Sequence, residues 1–465
     1  MTGPAAGAGD GNSTDMSTDM STDMSTGTSP TTVLVEVTDT ISIGYTTGIQ
    51  RVVREVIAGL RGPAGAGLRI VPIVKPSAMA DYRSLTADED QRLRDHPPGG
   101  RAGRRADNFG RLSPIVRVLG DLRIVIWTRV TLGRIRRRTR EFHPLHAELA
   151  LGPPSPGSIF LDLEGSWHDP EPRSELLPRL HGDGVASVVF VHDVMPVAHP
   201  EWFDPRHIAV FESWLDAHLR WSSLFLTNSE CTARDLRAAA LERCRPDIDV
   251  VVVPLGADYT SDETAASTMP EDLPVEARRF LLVVGTLEPR KNQRVVLDAF
   301  DRLRQDHPDL AVVFVGKEGW MVDDLVSRLR SDPEFERRVL WFGGIDDGEL
   351  SWLYQHAFLS IAPSRYEGLG VPVLEALANG CPTISSTGGA QPEAGAGFTE
   401  LFDPDDVDTL TGLIRRHLDD PAHHNAMVES AGRYTPPTWS NSARVVADAL
   451  LDVELTDPRP FGAKG

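Results

Sequence analysis

From Thr31 onward the chain alternates between two hydrophobic patterns. One is the short unbroken apolar run, as in TTVLVEVTD, LRIVPIV, SIFLDLEG, ASVVFVHD, LFLTNSE and DVVVVPLG, and again in FLLVVG, AVVFVG, VLWFGG, FLSIAPS and PTISST. Runs of Val, Ile, Leu and Phe without polar alternation predict strands buried on both faces, hence parallel sheets covered by helices. The other is a period near 3.6: in GIQRVVREVIAGL, the residues Ile49, Val52, Val53, Val56, Ile57 and Leu60 fall on one helical face. Strand, glycine-bearing loop and helix therefore recur, and in such α/β sheets ligands bind beyond the carboxyl ends of the strands. The first loop carries Gly44 and Gly48 but no G-x-G-x-x-G, so a dinucleotide fingerprint is absent.

A polar run from Ser261 to Pro274 separates two such series, and 465 residues exceed what one hydrophobic core usually serves. The expected organisation is a low-complexity tail over 1–30, with STDM three times in tandem, a first α/β domain over 31–256, a second over 275–435, and a closing helix over 436–455. An insertion over about 76–157 breaks the rhythm of the first domain. Within it, residues 101–140 hold twelve arginines against two aspartates, with Ile, Val, Leu and Trp127 between them. A basic amphipathic helix of this kind can lie on an anionic bilayer surface; the alternative is an insertion packed on its own domain with a solvated arginine face.

Composition narrows the classes further. A formal charge of -20 argues against a general nucleic-acid binder, and the basic segment has few aromatics for stacking bases. Cys231, Cys244 and Cys381 show neither metal-ligand spacing nor a disulfide framework and read as small buried residues of a reducing compartment. No apolar run approaches 18 residues, and the start has no basic end followed by an apolar stretch. The expectation is a cytoplasmic protein, peripheral to the membrane if the basic segment docks there.

The richest chemistry lies in Ser360 to Pro382, SIAPSRYEGLGVPVLEALANGCP. It predicts a buried strand, a glycine turn and a helix opened by Val371 and Pro372, because proline in the first turn loses no hydrogen bond, with Gly380 as the stop. The amide-rich helix start, approached through Gly368, Leu369 and Gly370, is a cradle for an anion such as a diphosphate. Glu367 and Glu375 frame it, roughly 10 to 12 Å apart along a helix rising ~1.5 Å per residue. Each carboxylate can accept two hydroxyls of a polyol, although on spacing alone the pair also fits a dipole-favoured acid followed by a solvated one. In FLLVVGTLEPRKNQRVVLDAF, Arg290 and Lys291 stand at a helix start, where the dipole disfavours cations and a ligand phosphate would resolve the conflict. His192 and Asp193 follow the run VVFV at a strand end, where a histidine can exchange hydrogen bonds with a ligand near neutral pH or cap backbone groups. Asp162 and Glu164 could suggest a D-x-E metal pair, but no further ligands cluster nearby in sequence. In LTNSECTARDL, Ser229 or Thr232 is expected to cap the helix that follows.

EGLGVPVLEAL, preceded by a strand ending in APS and followed by GCPTISSTGGAQPE, resembles the donor-site signature of the retaining glycosyltransferases of family 4, also called group 1. The resemblance implies a GT-B fold, two Rossmann-like α/β domains facing across a cleft, with the closing helix over 436–455 returning to the first domain. It assigns Glu367 to the transferred sugar, Glu375 to the ribose, and Arg290 and Lys291 with Gly368, Leu369, Gly370 and Val371 to the donor diphosphate. Gly48 would come near the phosphates and the acceptor, and His192, in a segment VHDVMP similar to that of members using mannose-type donors, beside the sugar. The family often has an arginine just after the glycine of the strand; here Thr286 follows Gly285, and Arg290 takes that place. The implied reaction moves a hexose, preferentially mannose from GDP-mannose, from a nucleotide diphosphate sugar to a hydroxyl of a glycan, lipid-linked or small-molecule acceptor, with no metal and no cofactor. A UDP-hexose or dTDP-sugar donor, a nucleotide-sugar epimerase of the same fold, and a non-catalytic adaptor recruited through the basic segment are the alternatives.

Overall fold

The computed structural model describes residues 30–42, 48–77, 80–95, 151–169, 171–257, 267–274 and 279–457. The STDM repeats, the basic segment 101–140 and most of the expected insertion lie outside them. The first sheet contains β1 (Thr31–Glu36), β2 (Leu68–Val74), β3 (Arg83–Ser84), β4 (Ile159–Asp162), β5 (Ala186–Val191), β6 (Leu224–Thr227) and β7 (Val250–Val252). Their order is β3-β2-β1-β4-β5-β6-β7, parallel except for the short antiparallel edge strand β3. The second contains β8 (Arg279–Val284), β9 (Leu310–Val315), β10 (Val339–Phe342), β11 (Leu359–Ala362), β12 (Thr383–Ser386) and β13 (Glu400–Phe402), all parallel in the order β10-β9-β8-β11-β12-β13.

The unbroken apolar runs are the reason for this layering. Every residue of β5 and of β9 is buried, which only a strand covered by helices on both sides permits. Each sheet winds outward in both directions from its first strand, so a crevice opens where β1 parts from β4 and another where β8 parts from β11. Ligands of doubly wound sheets bind at these switch points, beyond the carboxyl ends.

The first crevice is filled by protein. Arg173, fully buried, donates to Asp162 at 2.6 Å, to Glu36 at 2.6 Å and to Asp169 at 2.8 Å. Glu164 accepts the amides of Asp39 at 2.8 Å and Thr40 at 2.6 Å, starting a helix, Thr38–Ser42, where a loop was expected. Both acids of the D-x-E pair thus serve structure. Burial pushes Glu36 up to about 8 despite the guanidinium of Arg173, which leaves one carboxyl of this cluster largely protonated at neutral pH.

The helix Trp439–Leu451 crosses back onto the helix Gly48–Leu60 of the first domain, and Trp439, Val446 and Leu450 join a core that includes Val53, Val56, Leu369 and Val373. Gly59 sits at the crossing: a Cβ there would lie 2.3 Å from that of Ala443. Cys231 and Cys381 are buried as expected, but Cys244 is exposed at a left-handed turn, φ 57°, after the helix Glu230–Glu242.

Gly59→Ala is expected to lower stability by about 1–3 kcal/mol through overpacking. Gly412→Ala, in a helix where an added Cβ meets nothing within 4 Å, is expected to raise it by about 0.5–1 kcal/mol. Denaturant midpoints of the two variants check the pair.

Candidate donor site

The second crevice holds a small pocket. It is lined by Lys291, Gln293, Ser364, Glu367, Gly370 and Gln391, from segments that follow β8, β11 and β12. After β11 the chain turns through Ser364 to Gly370, and Gly370, at φ 88°, is the left-handed residue that starts the helix Val371–Ala378 with Pro372 in its first turn. After β8, Pro289–Lys291 form one tight turn, and Asn292, at φ 53°, redirects the chain into the helix Gln293–Leu303. The two cations therefore precede the helix rather than belonging to its first turn.

Both cations hold one carboxylate. Arg290 Nη1 lies 2.8 Å from Glu367 Oε2, and Lys291 Nζ lies 2.5 Å from Oε1, which also accepts the Ser364 hydroxyl at 2.6 Å. Burial raises the pKa of Glu367, but the charges of Lys291 and Arg290 more than offset it and hold the group at about 2. Glu367 is therefore an anion throughout the neutral range. Arg290 reaches a second acid, Glu288, at 2.7 Å, and Asp193 of the first domain lies close enough to feel its charge. Burial pushes the pKa values of both Glu288 and Asp193 up, against the charge of Arg290, which lowers them.

The first domain approaches this turn until backbone meets backbone. Ser229 Oγ donates to the carbonyl of Gly368 at 2.5 Å and Thr232 Oγ1 to the same oxygen at 2.9 Å. A Cβ on Gly368 would stand 2.5 Å from the His192 carbonyl and 2.9 Å from Asp193 Cβ, so only glycine fits. Ser229 also caps its own helix, accepting the amide of Thr232 at 3.0 Å, while Glu393 of the second domain accepts the amides of Glu230 at 2.8 Å and Cys231 at 3.2 Å. His192 Nε2 is 2.9 Å from the Leu163 carbonyl, which can only accept; the ring hydrogen is therefore on Nε2 and Nδ1 is left as an acceptor. Burial lowers the pKa of His192, so the ring is neutral at pH 7.

Glu375 lies apart from Glu367, on the far side of the helix start. Tyr354 donates to it at 3.0 Å, and Arg51 of the first domain stands 3.8 Å away while bonding Asp347 at 3.3 Å. Gly48 opens the helix that carries Arg51, with open space around its Cα. Two residues that no motif flagged complete the crevice. Gln391 donates to the Ser364 carbonyl at 3.0 Å and Gln293 to that of Thr286 at 2.9 Å, and the amide oxygen of each is buried without a hydrogen-bond partner. A strand followed by T-G-G-A-Q-P-E was the available cue for Gln391; Gln293 carried none.

Residues 267–433 match the family model described as glycosyl transferases group 1. Over this span the second domain is similar to the group 1 glycosyl transferases. The chain is 32% identical over 219 residues to the serotype-specific mannosyltransferase WbdA of Escherichia coli, a match covering 45% of this chain and 27% of that protein. The chain thus spans about a quarter of the length of that relative. It is 28% identical over 269 residues to O-antigen chain mannosyltransferase B of Escherichia coli, covering 55% of this chain and 67% of the relative. The sucrose-phosphate synthase of Thermosynechococcus elongatus superposes on 90% of this chain and 96% of its own with a TM-score of 0.51 at 18% identity, and the two-domain architecture is GT-B. Among the described residues no helix is long and apolar enough to cross a membrane.

Gly368→Ala is expected to force the second domain off its seat, raising the radius of gyration in small-angle scattering and costing about 1–3 kcal/mol by overpacking. The pKa of Glu367 falls on folding from 4.5 to about 2, so its stabilising contribution is complete above pH 4.5 and disappears as the pH drops through about 2. At ~1.4 kcal/mol per pH unit the whole shift is worth roughly 3.5 kcal/mol, of which about 2 kcal/mol is lost between pH 6 and pH 3, and Glu367→Gln is expected to lack that loss when urea midpoints are compared at the two pH values.

Proposed function

We propose that the chain is a retaining glycosyltransferase of the family 4 type that transfers a hexose from a nucleotide diphosphate sugar to a hydroxyl of a glycan, lipid-linked or small-molecule acceptor. The observation that carries the reading is the convergence of Glu367, Arg290 and Lys291 with the start of the helix Val371–Ala378 at the second switch point. A diphosphate at that helix start would meet amides, the positive end of the helix dipole and two cations. Mannose from GDP-mannose is the preferred donor; the names of the two relatives and the segment VHDVMP support it.

In this reading the diphosphate gains charge as the glycosidic bond breaks, and the preorganised cations and amides stabilise it without an ion. The acceptor hydroxyl attacks the anomeric carbon on the face from which the phosphate departs, and the departing phosphate oxygen takes the hydroxyl proton. Glu367, kept ionised by its partners, accepts sugar hydroxyls and eases the positive charge that develops on the ring. His192 offers Nδ1 to another hydroxyl. The unpartnered amide oxygens of Gln293 and Gln391 provide further acceptors, which suits a polyol better than an apolar ligand. Glu375 takes the ribose, with Tyr354 holding it in place.

Release of nucleotide from a panel of GDP-, UDP- and dTDP-sugars, with and without glycan acceptors, tests the proposal. GDP-mannose is expected to be turned over fastest, at the same rate with and without added magnesium. Glu367→Gln should lose about 100-fold or more in turnover, in line with removal of one preorganised electrostatic group. Arg290→Ala with Lys291→Ala should chiefly raise the donor KM. Parent rates in both variants would refute the site.

A further inference from the structure

A second cluster of ligating side chains lies away from the crevice. Glu400 is the first residue of the edge strand β13, so it sits at the amino end of the sheet, opposite the carboxyl ends that face the first domain. His417 belongs to the last turn of the helix Val407–Asp419 and His423 to the first turn of the helix Pro421–Ala431. Asp420 fixes the turn between them by accepting the amides of Ala422 and His423, each at 3.1 Å. His417 Nε2 stands 2.7 Å from Glu400 Oε2 and His423 Nε2 3.3 Å from the same oxygen. The three ligand atoms all lie within 4.8 Å of one another, and the His417 side chain is only 1% exposed.

Two features set this apart from an ordinary histidine–carboxylate bond. Two imidazoles converge on one carboxylate oxygen, while the cation nearest the other oxygen, Arg416, is 3.9 Å away. Behind His417, the Nδ1 of His424 lies 3.2 Å from the Nδ1 of His417, and the His424 ring is held by stacking on Phe358 at 4.1 Å. A hydrogen on His417 Nδ1 donated to His424 leaves the Nε2 lone pair pointing at the cluster, the arrangement that a metal-bound histidine takes with its outer partner. Tetrahedral zinc with bonds near 2.0–2.1 Å spaces its ligand atoms about 3.3 Å apart. The His423–Glu400 separation already has that value, and the His417–Glu400 pair needs to open by about half an ångström.

We propose that Glu400, His417 and His423 bind one zinc ion, with water in the fourth position, as a staple tying the edge strand β13 to the two helices. The donor set of two imidazoles and one carboxylate suits this borderline cation. Binding releases the proton shared between His417 and Glu400. The ion takes no part in the proposed transfer, and the site does not rest on that assignment.

The test uses the full chain, stripped with a chelator, dialysed against zinc and assayed for metal, with cobalt(II) loaded in parallel. One zinc per chain is expected, with the visible absorption of four-coordinate cobalt and a melting temperature above that of the stripped protein. His423→Gln and Glu400→Gln should lose all three effects while melting like the stripped parent; His424→Phe should weaken zinc by about 10- to 100-fold, as loss of an outer partner does. Glu367→Gln should bind zinc normally, which separates this site from the donor site. No retained zinc in the parent, or equal retention in His423→Gln and Glu400→Gln, would overturn the proposal.

Discussion

The carbonyl of Gly368 is the point on which the two domains are joined. It accepts hydroxyls from Ser229 and Thr232, and its α-carbon is pressed so close to His192 and Asp193 that a methyl group has no room. That one contact brings the turn after β11 against the strand ends of the other sheet. It lets the charges of Arg290 and of Glu367, the neighbour of Gly368, reach Asp193. Without it, each domain would present half a site.

The second constraint is electrostatic. Two cations in a partly buried turn need anions. Glu367 stays charged because Lys291 and Arg290 both bind it, and Glu288 gives Arg290 a second carboxylate at 2.7 Å. Burial raises the pKa values of Glu288 and Asp193, while the charge of Arg290 pulls both down. The first domain treats its own crevice differently. There Arg173 is locked among Glu36, Asp162 and Asp169, which fills the switch point between β1 and β4, whereas the β8–β11 crevice holds the small pocket.

The fold was legible because its strands are covered on both faces: apolar runs such as VVFV and FLLVV have no other stable environment, and proline after Gly370 marks a helix start whatever surrounds it. Arg290 and Lys291 could be named because two cations at a helix start run against its dipole, whereas Glu367, an acid the dipole favours, was named through the EGLGVPVLEAL signature. Ser229 and Thr232 were legible only as helix caps. Their bonds to Gly368 span well over a hundred residues and leave no periodic trace. The same holds for Arg51 beside Glu375, for Glu393 on the helix of the other domain, and for Arg173, whose partners come from three separate segments. Cys244 escaped for a different reason: composition predicts that a free cysteine is buried, but a left-handed turn at a helix end projects it outward.

The carboxylate of Glu393 closes the helix Glu230–Glu242 from across the domain boundary. A helix start has orphan amides that someone must satisfy, and here part of that duty is borne by a residue that moves with the opposite half of the molecule. Any separation of the two halves would withdraw that acid and leave the amides of Glu230 and Cys231 to find another acceptor, so the integrity of the first turn is tied to the domain contact.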